Sequence, residues 1–400
     1  MKRTESFTFR FIQIAIVFGV LLYDFIGLSF GFTYIDEILL VVLMVYACAV
    51  ARFTKEFKVF LCIFAMYVLY SALFGVACYE AILTDAIIYL KPFVGFYATV
   101  VLGMGLNQKH KLMIKRLVVL IAVAMMAACA ASYSYVMSDL MGHPARFATL
   151  FQILGVTYLY CSSRNKKDIF ITMLIWSCSI MSLRSKSYAF VAAACFVFYY
   201  LNAKRLEKIS FSTIFSSLLV ITLVFIVAWE KFQFYFIQGS NADLTESFAR
   251  PALYQGALLI LKDFIPLGPG FGSYACYASS VYYSPLYYKY GLSYVFGLGE
   301  DQGWFISDTF FPQLAQFGVV GIVLFAMFFY HRYKETISLY KVNGDSTLMK
   351  MSVLIIIFFM IESSVDSTFV HNRGMVMMVL WGMIVNELKI ESKNSLSKFC

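Results

Sequence analysis

Residues 59–78 read VFLCIFAMYVLYSALFGVAC and contain no charged side chain. A helix of about 20 residues spans the roughly 30 Å hydrocarbon core of a bilayer, so this stretch has the length and composition of a transmembrane helix. A strand of a transmembrane barrel would instead alternate polar and apolar residues over about ten positions. The stretch therefore predicts a helical membrane protein.

Similar apolar runs recur along the whole chain. Hydrophobic residues make up 61% of the sequence and charged residues 14%, against roughly 45–50% and about 25% in soluble domains. We therefore predict an all-α polytopic integral membrane protein with about 12 transmembrane helices. The predicted spans lie near residues 11–30, 35–51, 59–78, 85–105, 117–137, 148–163, 169–183, 187–201, 212–229, 310–330, 351–363 and 374–387.

The basic residues predict the orientation of these spans. The net charge is +9, and most of the lysines and arginines cluster in every second connection. Such an excess marks cytoplasmic loops, so we predict cytoplasmic N- and C-termini and no role in nucleic-acid binding. The chain then forms a single membrane domain over residues 1–400. Its first nine spans lie within residues 1–229, a large external loop covers 230–309, and the last three spans lie within 310–400.

A minority of the basic residues fall in spans or on the predicted outer side. A charge at the bilayer centre costs about 2.5–3.5 kcal/mol on insertion scales, so such residues usually have a partner or a function. The alternative for any one of them is snorkelling at the interface. These residues are Lys91, Arg146, Arg184, Lys186, Lys231, Arg250, Lys262, Lys289 and Arg373.

The predicted external loop has an unusual composition. In its first half, residues 250–263 have apolar residues at helical spacing, Leu253, Ala257, Leu258 and Leu261, which predicts an amphipathic helix lying on the membrane. A glycine-rich turn at residues 268–272 and a tyrosine-rich segment follow. Tyrosine suits both sugar recognition and an interfacial aromatic belt, and composition does not separate the two.

Several short motifs in this part of the chain resemble those of the O-antigen polymerase and ligase superfamily, whose members are bacterial membrane glycosyltransferases. The resemblance is sharpest over residues 250–325 and extends to Lys91-Pro92, Arg146 and Ser182-Leu-Arg184-Ser185. The motifs are Arg250-Pro-x-x-x-x-Gly256-Ala257, Pro266-Leu-Gly268-x-Gly270-x-Gly272, Asp308-Thr309 and Leu314-Ala315-x-x-Gly318-x-x-Gly321.

The resemblance implies a polymerase that joins undecaprenyl-diphosphate-linked repeat units on the outer face of the bacterial cytoplasmic (inner) membrane. The product would be O-antigen, capsule or exopolysaccharide. Arg250 is then the leading catalytic candidate, because a guanidinium suits a diphosphate leaving group. Arg146, Arg184, Lys186 and Lys91 are the further diphosphate-binding candidates, although Lys91 could instead pair with Asp85. The expected partners are the lipid-linked oligosaccharide, the bilayer, a chain-length regulator and a flippase.

Asp308 occupies the position where ligases of the superfamily typically carry a histidine, and this difference favours a polymerase. We expect Asp308, or else Glu300 or Asp301, to be the general base. Ordinary solvated loop acids are the alternative.

The resemblance also marks residues for a sugar-binding surface, namely Gly268, Gly270, Gly272, Tyr274, Glu300 and Asp301. The turn could equally let the loop fold back onto the bundle, or bring backbone N–H groups near phosphate. At the outer end of the last two spans, Glu362, Asp366, His371 and Arg373 favour internal ion pairing.

No metal or other cofactor is implied, because the four histidines are scattered and no C-x-x-C pair occurs. A ligase that transfers finished glycan remains an alternative, as does a flippase or other transporter. Transporters often carry internal repeats, and no such repeat stands out here.

Overall fold

The computed structural model describes residues 2–201 and 248–396. Within those ranges every regular element is a helix. The predicted ninth span, 212–229, and the first part of the predicted loop lie outside the described residues. The main helices are α1 (Lys2–Ile16), α2 (Tyr23–Phe30), α3 (Ile35–Val50), α4 (Lys55–Phe74), α5 (Tyr79–Val101), α6 (Gln108–Ala131), α7 (Pro144–Cys161), α8 (Lys166–Cys178), α9 (Ser185–Cys195), α10 (Ala249–Asp263), α11 (Tyr277–Val281), α12 (Pro285–Lys289), α13 (Phe310–Gln313), α14 (Gly318–Asn343), α15 (Ser346–Val365) and α16 (Asn372–Leu396).

Six segments in the described ranges are long and apolar enough to cross a membrane, so the protein is a helical membrane protein. Each predicted apolar run outside residues 202–247 coincides with a helix. The six segments are Thr4–Leu21, Lys55–Phe74, Tyr79–Val101, Gln108–Ala131, Phe310–Val342 and Ser346–Val365.

Polar side chains define where several helices begin. The side chain of Thr54 accepts a hydrogen bond from the Phe57 amide at the start of α4, and Asn107 caps α6 in the same way. Asp345 accepts bonds from two amides at the start of α15. These oxygens satisfy backbone donors that have no partner within the helix. The apolar runs therefore become helices with defined ends.

The centre of the bundle is the contact between α5 and α16. A Cβ atom added at Gly382 would lie 2.9 Å from the Thr99 side chain, so the absence of a side chain allows the two backbones to approach closely. Asn386 of α16 donates to the carbonyl oxygens of Thr99 and Met104. In contrast, α4 keeps most of its surface exposed, including Leu69 and Leu73. Hydrogen bonds between helices in the interior and apolar side chains on the exterior suit a lipid environment.

Residues 248–317 form a small unit of short helices and turns with a core of its own. Helix α10 buries Leu253, Ala257 and Ile260 against this core, whereas Leu258 is exposed. The helix lies where the spacing predicted it, and its contact with the membrane stays a prediction. At 100° per residue, Ile260 shares a face with Leu253 and Ala257, and Leu258 does not.

Candidate functional site

Arg250 and Asp308 form an ion pair at the junction between α10 and the segment that leads into α13. The Arg250 Nε and Nη2 atoms donate to Asp308 Oδ2 at 2.8 and 2.5 Å. The two side chains are 30% and 36% exposed. The pair thus joins residues 58 positions apart and leaves both of them accessible to a ligand.

The pair lies beside the end of α15. The Tyr254 hydroxyl, one turn after Arg250, donates to the Ser364 carbonyl oxygen at 2.9 Å. On the other side of Asp308, the Phe310 amide donates to the Asp366 carbonyl oxygen at 3.3 Å. Both partners of the ion pair are therefore held against the short connection between α15 and α16.

Lys186 lies at the same end of α15 and is almost fully enclosed. Its Nζ atom is 2.6 Å from both Glu362 Oε2 and Asp366 Oδ2, and its side chain is 5% exposed. Thr368 donates to the same two carboxylates. Although burial acts to raise it, the Lys186 ammonium holds the pKa of Asp366 well below its usual value. Lys186 is thus neutralised by two acids, one in the last turn of α15 and one directly after it.

Arg146 lies at the start of α7 and shares an acid with a second arginine. Its guanidinium lies 2.6 Å from Asp24 of α2, and Arg373 of α16 pairs with the other oxygen of Asp24. The same stretch of α16 is fixed by Asn372, which donates to the Gly19 carbonyl oxygen. Arg146, which the sequence predicted for diphosphate binding, is therefore held beside an acid of α2.

Lys91, within α5, pairs with two acids at the start of α3. Its Nζ atom lies 2.5 Å from Asp36 Oδ2 and 2.7 Å from Glu37 Oε1. The pairing with Asp85 that the sequence left open does not form. Six residues place Asp85 about 240° from Lys91 around the helix, so the two side chains face different neighbours.

Arg184 differs from the other cations in its partner. It is exposed, and it contacts His143 Nε2 at 3.0 Å. Burial lowers the pKa of His143, and the positive charges of Arg184, Arg146 and Lys186 act in the same direction. No carboxylate lies within 4 Å of Arg184 in the part of the chain that the structure describes. Arg184 is therefore available to an anion.

The charged groups described above also act on one imidazole, that of His371, which directly precedes α16. Burial lowers its pKa to about 4, with Lys91, Arg146 and Arg373 acting in the same direction and Asp366 opposing them. Charges from separate ion-pair clusters thus influence the same side chain.

The glycine-rich turn at residues 268–272 docks on the bundle through its own amides. Gly270 donates to the Gln316 carbonyl oxygen, Phe271 to Ser71 Oγ and Gly272 to Asp85 Oδ2, each at 2.9 Å. Gly270 has φ +92°, a conformation that favours glycine. These amides already donate to acceptors within the chain. This arrangement is the one expected if the turn lets the loop fold back onto the bundle. Sugar binding by Gly268, Gly270 and Gly272 stays a prediction.

The remaining sugar-binding candidates lie elsewhere in the 248–317 unit. Tyr274 is fully buried, donates to the Leu253 carbonyl oxygen and stacks on Tyr287, so its ring faces protein. Glu300 is exposed and accepts a hydrogen bond from Tyr288 at 2.5 Å, and Asp301 is exposed beside it. Of the three acids proposed as bases, Asp308 is the one in contact with Arg250.

Sequence reasoning missed the acids Asp24, Asp36 and Glu37, and the imidazole of His143. A signal was present, because Asp24 lies inside one apolar run and Asp36 and Glu37 begin the next. Acids in such places need cationic partners as much as the misplaced basic residues need acids. The cluster at residues 362–373 does form ion pairs, but with Lys186 and Asp24 rather than within itself.

No group of three or more His, Cys, Asp or Glu residues suited to a metal ion occurs within residues 2–201 and 248–396. Comparison of the chain with protein-family models and with curated protein sequences finds no match.

Proposed function

We propose that the protein is a polysaccharide polymerase of the bacterial cytoplasmic membrane, joining oligosaccharide repeats carried on undecaprenyl diphosphate. The proposal includes about 12 spans, cytoplasmic termini and an external loop at residues 230–309. It follows the motif resemblance, and one contact supports it. Arg250 and Asp308, chosen from separate motifs, form an accessible ion pair.

In this reaction the donor is the growing glycan on its lipid diphosphate, and the acceptor is a terminal sugar hydroxyl of a new lipid-linked repeat. The hydroxyl oxygen attacks the anomeric carbon of the donor sugar. The bond between that carbon and the diphosphate oxygen breaks, and its electron pair leaves with undecaprenyl diphosphate. The proton of the hydroxyl passes to a base. No strong general acid is needed, because diphosphate is a good leaving group.

Arg250 would stabilise the charge that develops on the leaving diphosphate. Fixed positive charge aimed at such an oxygen is a major contribution to catalysis. The two donors now directed at Asp308 have the geometry to bind a phosphate oxygen instead. A diphosphate that draws them away would release the Asp308 carboxylate to accept the proton of the attacking hydroxyl. Substrate binding and activation of the base would thus be coupled.

The other predicted cations would hold the rest of the diphosphate. Arg184 is the best placed, since it is exposed and contacts an imidazole rather than an acid. Arg146 is partly exposed beside Asp24, whereas Lys91 and Lys186 are enclosed by carboxylates. We therefore assign direct diphosphate contact to Arg250, Arg184 and Arg146. Lys91 and Lys186 would hold the surrounding helices together.

The experiment that tests this function is deletion of the gene, followed by analysis of the surface glycan and of the lipid-linked intermediates. A polymerase predicts acceptors capped with a single repeat. Long chains stranded on the lipid carrier, with bare acceptors, would identify a ligase and would overturn the argument from Asp308. Repeats trapped on the cytoplasmic side would identify a flippase.

A further inference from the structure

An apolar groove lies between α4 and α14, and α5 forms its floor. Its volume is about 400 Å³, within the range of roughly 300–1,000 Å³ for ligand sites. Ile63 and Leu324 lie on opposite walls, and Phe93 lies on the floor. Because α4 is largely exposed, the groove is open to the surrounding lipid.

The length of the groove matches one leaflet of a bilayer. Glu56 and Tyr67 both line it and are eleven residues apart on α4. At 1.5 Å per residue this distance is about 16 Å, close to half of the roughly 30 Å hydrocarbon core. The groove thus has the length of a single acyl chain.

The two ends of the groove have different chemistry. Phe271 and Phe317 close one end with ring centroids 4.7 Å apart, and Tyr67 fixes that end by donating to the Phe317 carbonyl oxygen. The opposite end is polar and is lined by Glu56, His331 and Arg332. An occupant therefore needs an apolar chain with a polar group at one terminus.

The surroundings of Arg332 indicate the charge of the occupant's polar group. It is buried, its Nη2 atom lies 2.6 Å from Glu56 and its Nη1 atom pairs with Glu335, but its Nε–H has no acceptor. A buried guanidinium donor without an acceptor is costly, and a phosphate oxygen would satisfy it. Lys55, Lys58 and Lys334 are exposed and lie within two residues of Glu56 or Arg332 in the sequence, so lysines outnumber the two acids here. These charges favour an anionic group.

We infer that the groove holds one acyl chain of an anionic glycerophospholipid, with its phosphate at Arg332. The lipid comes from the leaflet at the Arg332 end, which is the cytoplasmic leaflet in the proposed orientation. The site is independent of polymerase activity and lies at the opposite end of α14 from Asp308. Phe271 belongs to the glycine-rich turn and closes one end of the groove. The end of the acyl chain therefore also supports the docking of that turn.

The test uses the full-length protein in bilayer nanodiscs that contain phosphatidylglycerol, with native mass spectrometry to count retained lipid. Ile63→Trp fills the groove, and Leu69→Trp places the same ring on the exposed side of α4, where Leu69 is 60% exposed. We expect Ile63→Trp to retain phosphatidylglycerol about tenfold less well, since losing two buried methylene groups already gives that factor. Leu69→Trp should match the parent protein. Leu324→Trp, from the other wall, replaces Ile63→Trp if that variant does not fold.

The headgroup assignment has its own test. Arg332→Lys keeps the positive charge beside Glu56 but removes the Nε–H, so it should weaken the preference for phosphatidylglycerol over phosphatidylcholine. Equal retention by the groove-filling variants and Leu69→Trp would overturn the site. Equal binding of both lipids by the parent protein would overturn the anionic headgroup. Retention of an isoprenyl phosphate in place of phosphatidylglycerol would overturn the glycerophospholipid.

Discussion

Lys186 and Arg250 are both basic residues on the predicted outer side, yet their surroundings differ. Lys186 is 5% exposed between the carboxylates of Glu362 and Asp366. Arg250 is 30% exposed beside Asp308. Removing one member of a buried pair strands a charge, whereas a half-exposed pair contributes little to stability. A misplaced positive charge therefore indicates a partner, and exposure decides whether a ligand can take that partner's place.

The largest expected effect is on folding, at the buried site. Lys186→Met leaves Glu362 and Asp366 without their cation, so the free energy of unfolding should fall by about 3–5 kcal/mol. Thermal unfolding of the purified protein in detergent measures this change. Lys167→Met, at an exposed lysine, is the control and should unfold like the parent protein. Similar unfolding of both variants would show that Lys186 is not needed to neutralise these acids.

The next effect is on activity, at the accessible site. Arg250→Ala should reduce polymerisation about 10²–10³-fold, because the leaving diphosphate loses a charged donor. The free energy of unfolding should change by less than about 1 kcal/mol. Glycan chain length and amount, normalised to protein level, give the readout. Lys262→Ala removes an exposed positive charge from the same helix and should leave the glycan normal. Normal chains from a stable Arg250→Ala protein would refute the assignment.

The variant Asp308→Asn tests the acidic partner of Arg250. The amide keeps an oxygen that can accept from Arg250 but cannot take up a proton, so the rate should fall about 10²-fold. Single-turnover assays with lipid-linked repeats measure this rate. Asp263→Asn, at an exposed acid of the same unit, should retain activity. If Asp308→Asn polymerises normally, Asp308 is not the base.

The smallest effect is expected at the surface ion pair of Asp263 and Lys289, which are 40% and 49% exposed. Hydrogen bonds from Tyr290 and Lys289 lower the pKa of Asp263. The charged form therefore stabilises the fold above the pKa of the unfolded chain, and this contribution is lost as the pH falls through the lowered folded pKa. Asp263→Asn should lower the melting temperature slightly near pH 7 and not at acid pH. A difference that persists at low pH would rule out this charge effect.

The helices could be predicted from the sequence because apolar composition alone requires a helix in lipid. The partners of the charged side chains could not be predicted from the sequence. Lys91 pairs with Asp36 and Glu37, more than 50 residues away, and Arg373 pairs with Asp24 near the other end of the chain. Such choices depend on how the helices pack. For a related reason the sequence of α10 alone does not show that Leu253 packs against residues 274–315.

The contact between Gly272 and Asp85 also has a consequence for how the protein is made. The ribosome completes Asp85 187 residues before the Gly272 amide that binds it. During translation the acid therefore enters the membrane without its donor, six residues after the start of α5. The glycine turn can attach to Asp85 only after Gly272 has been synthesised. The turn thus closes over a helix that was inserted early.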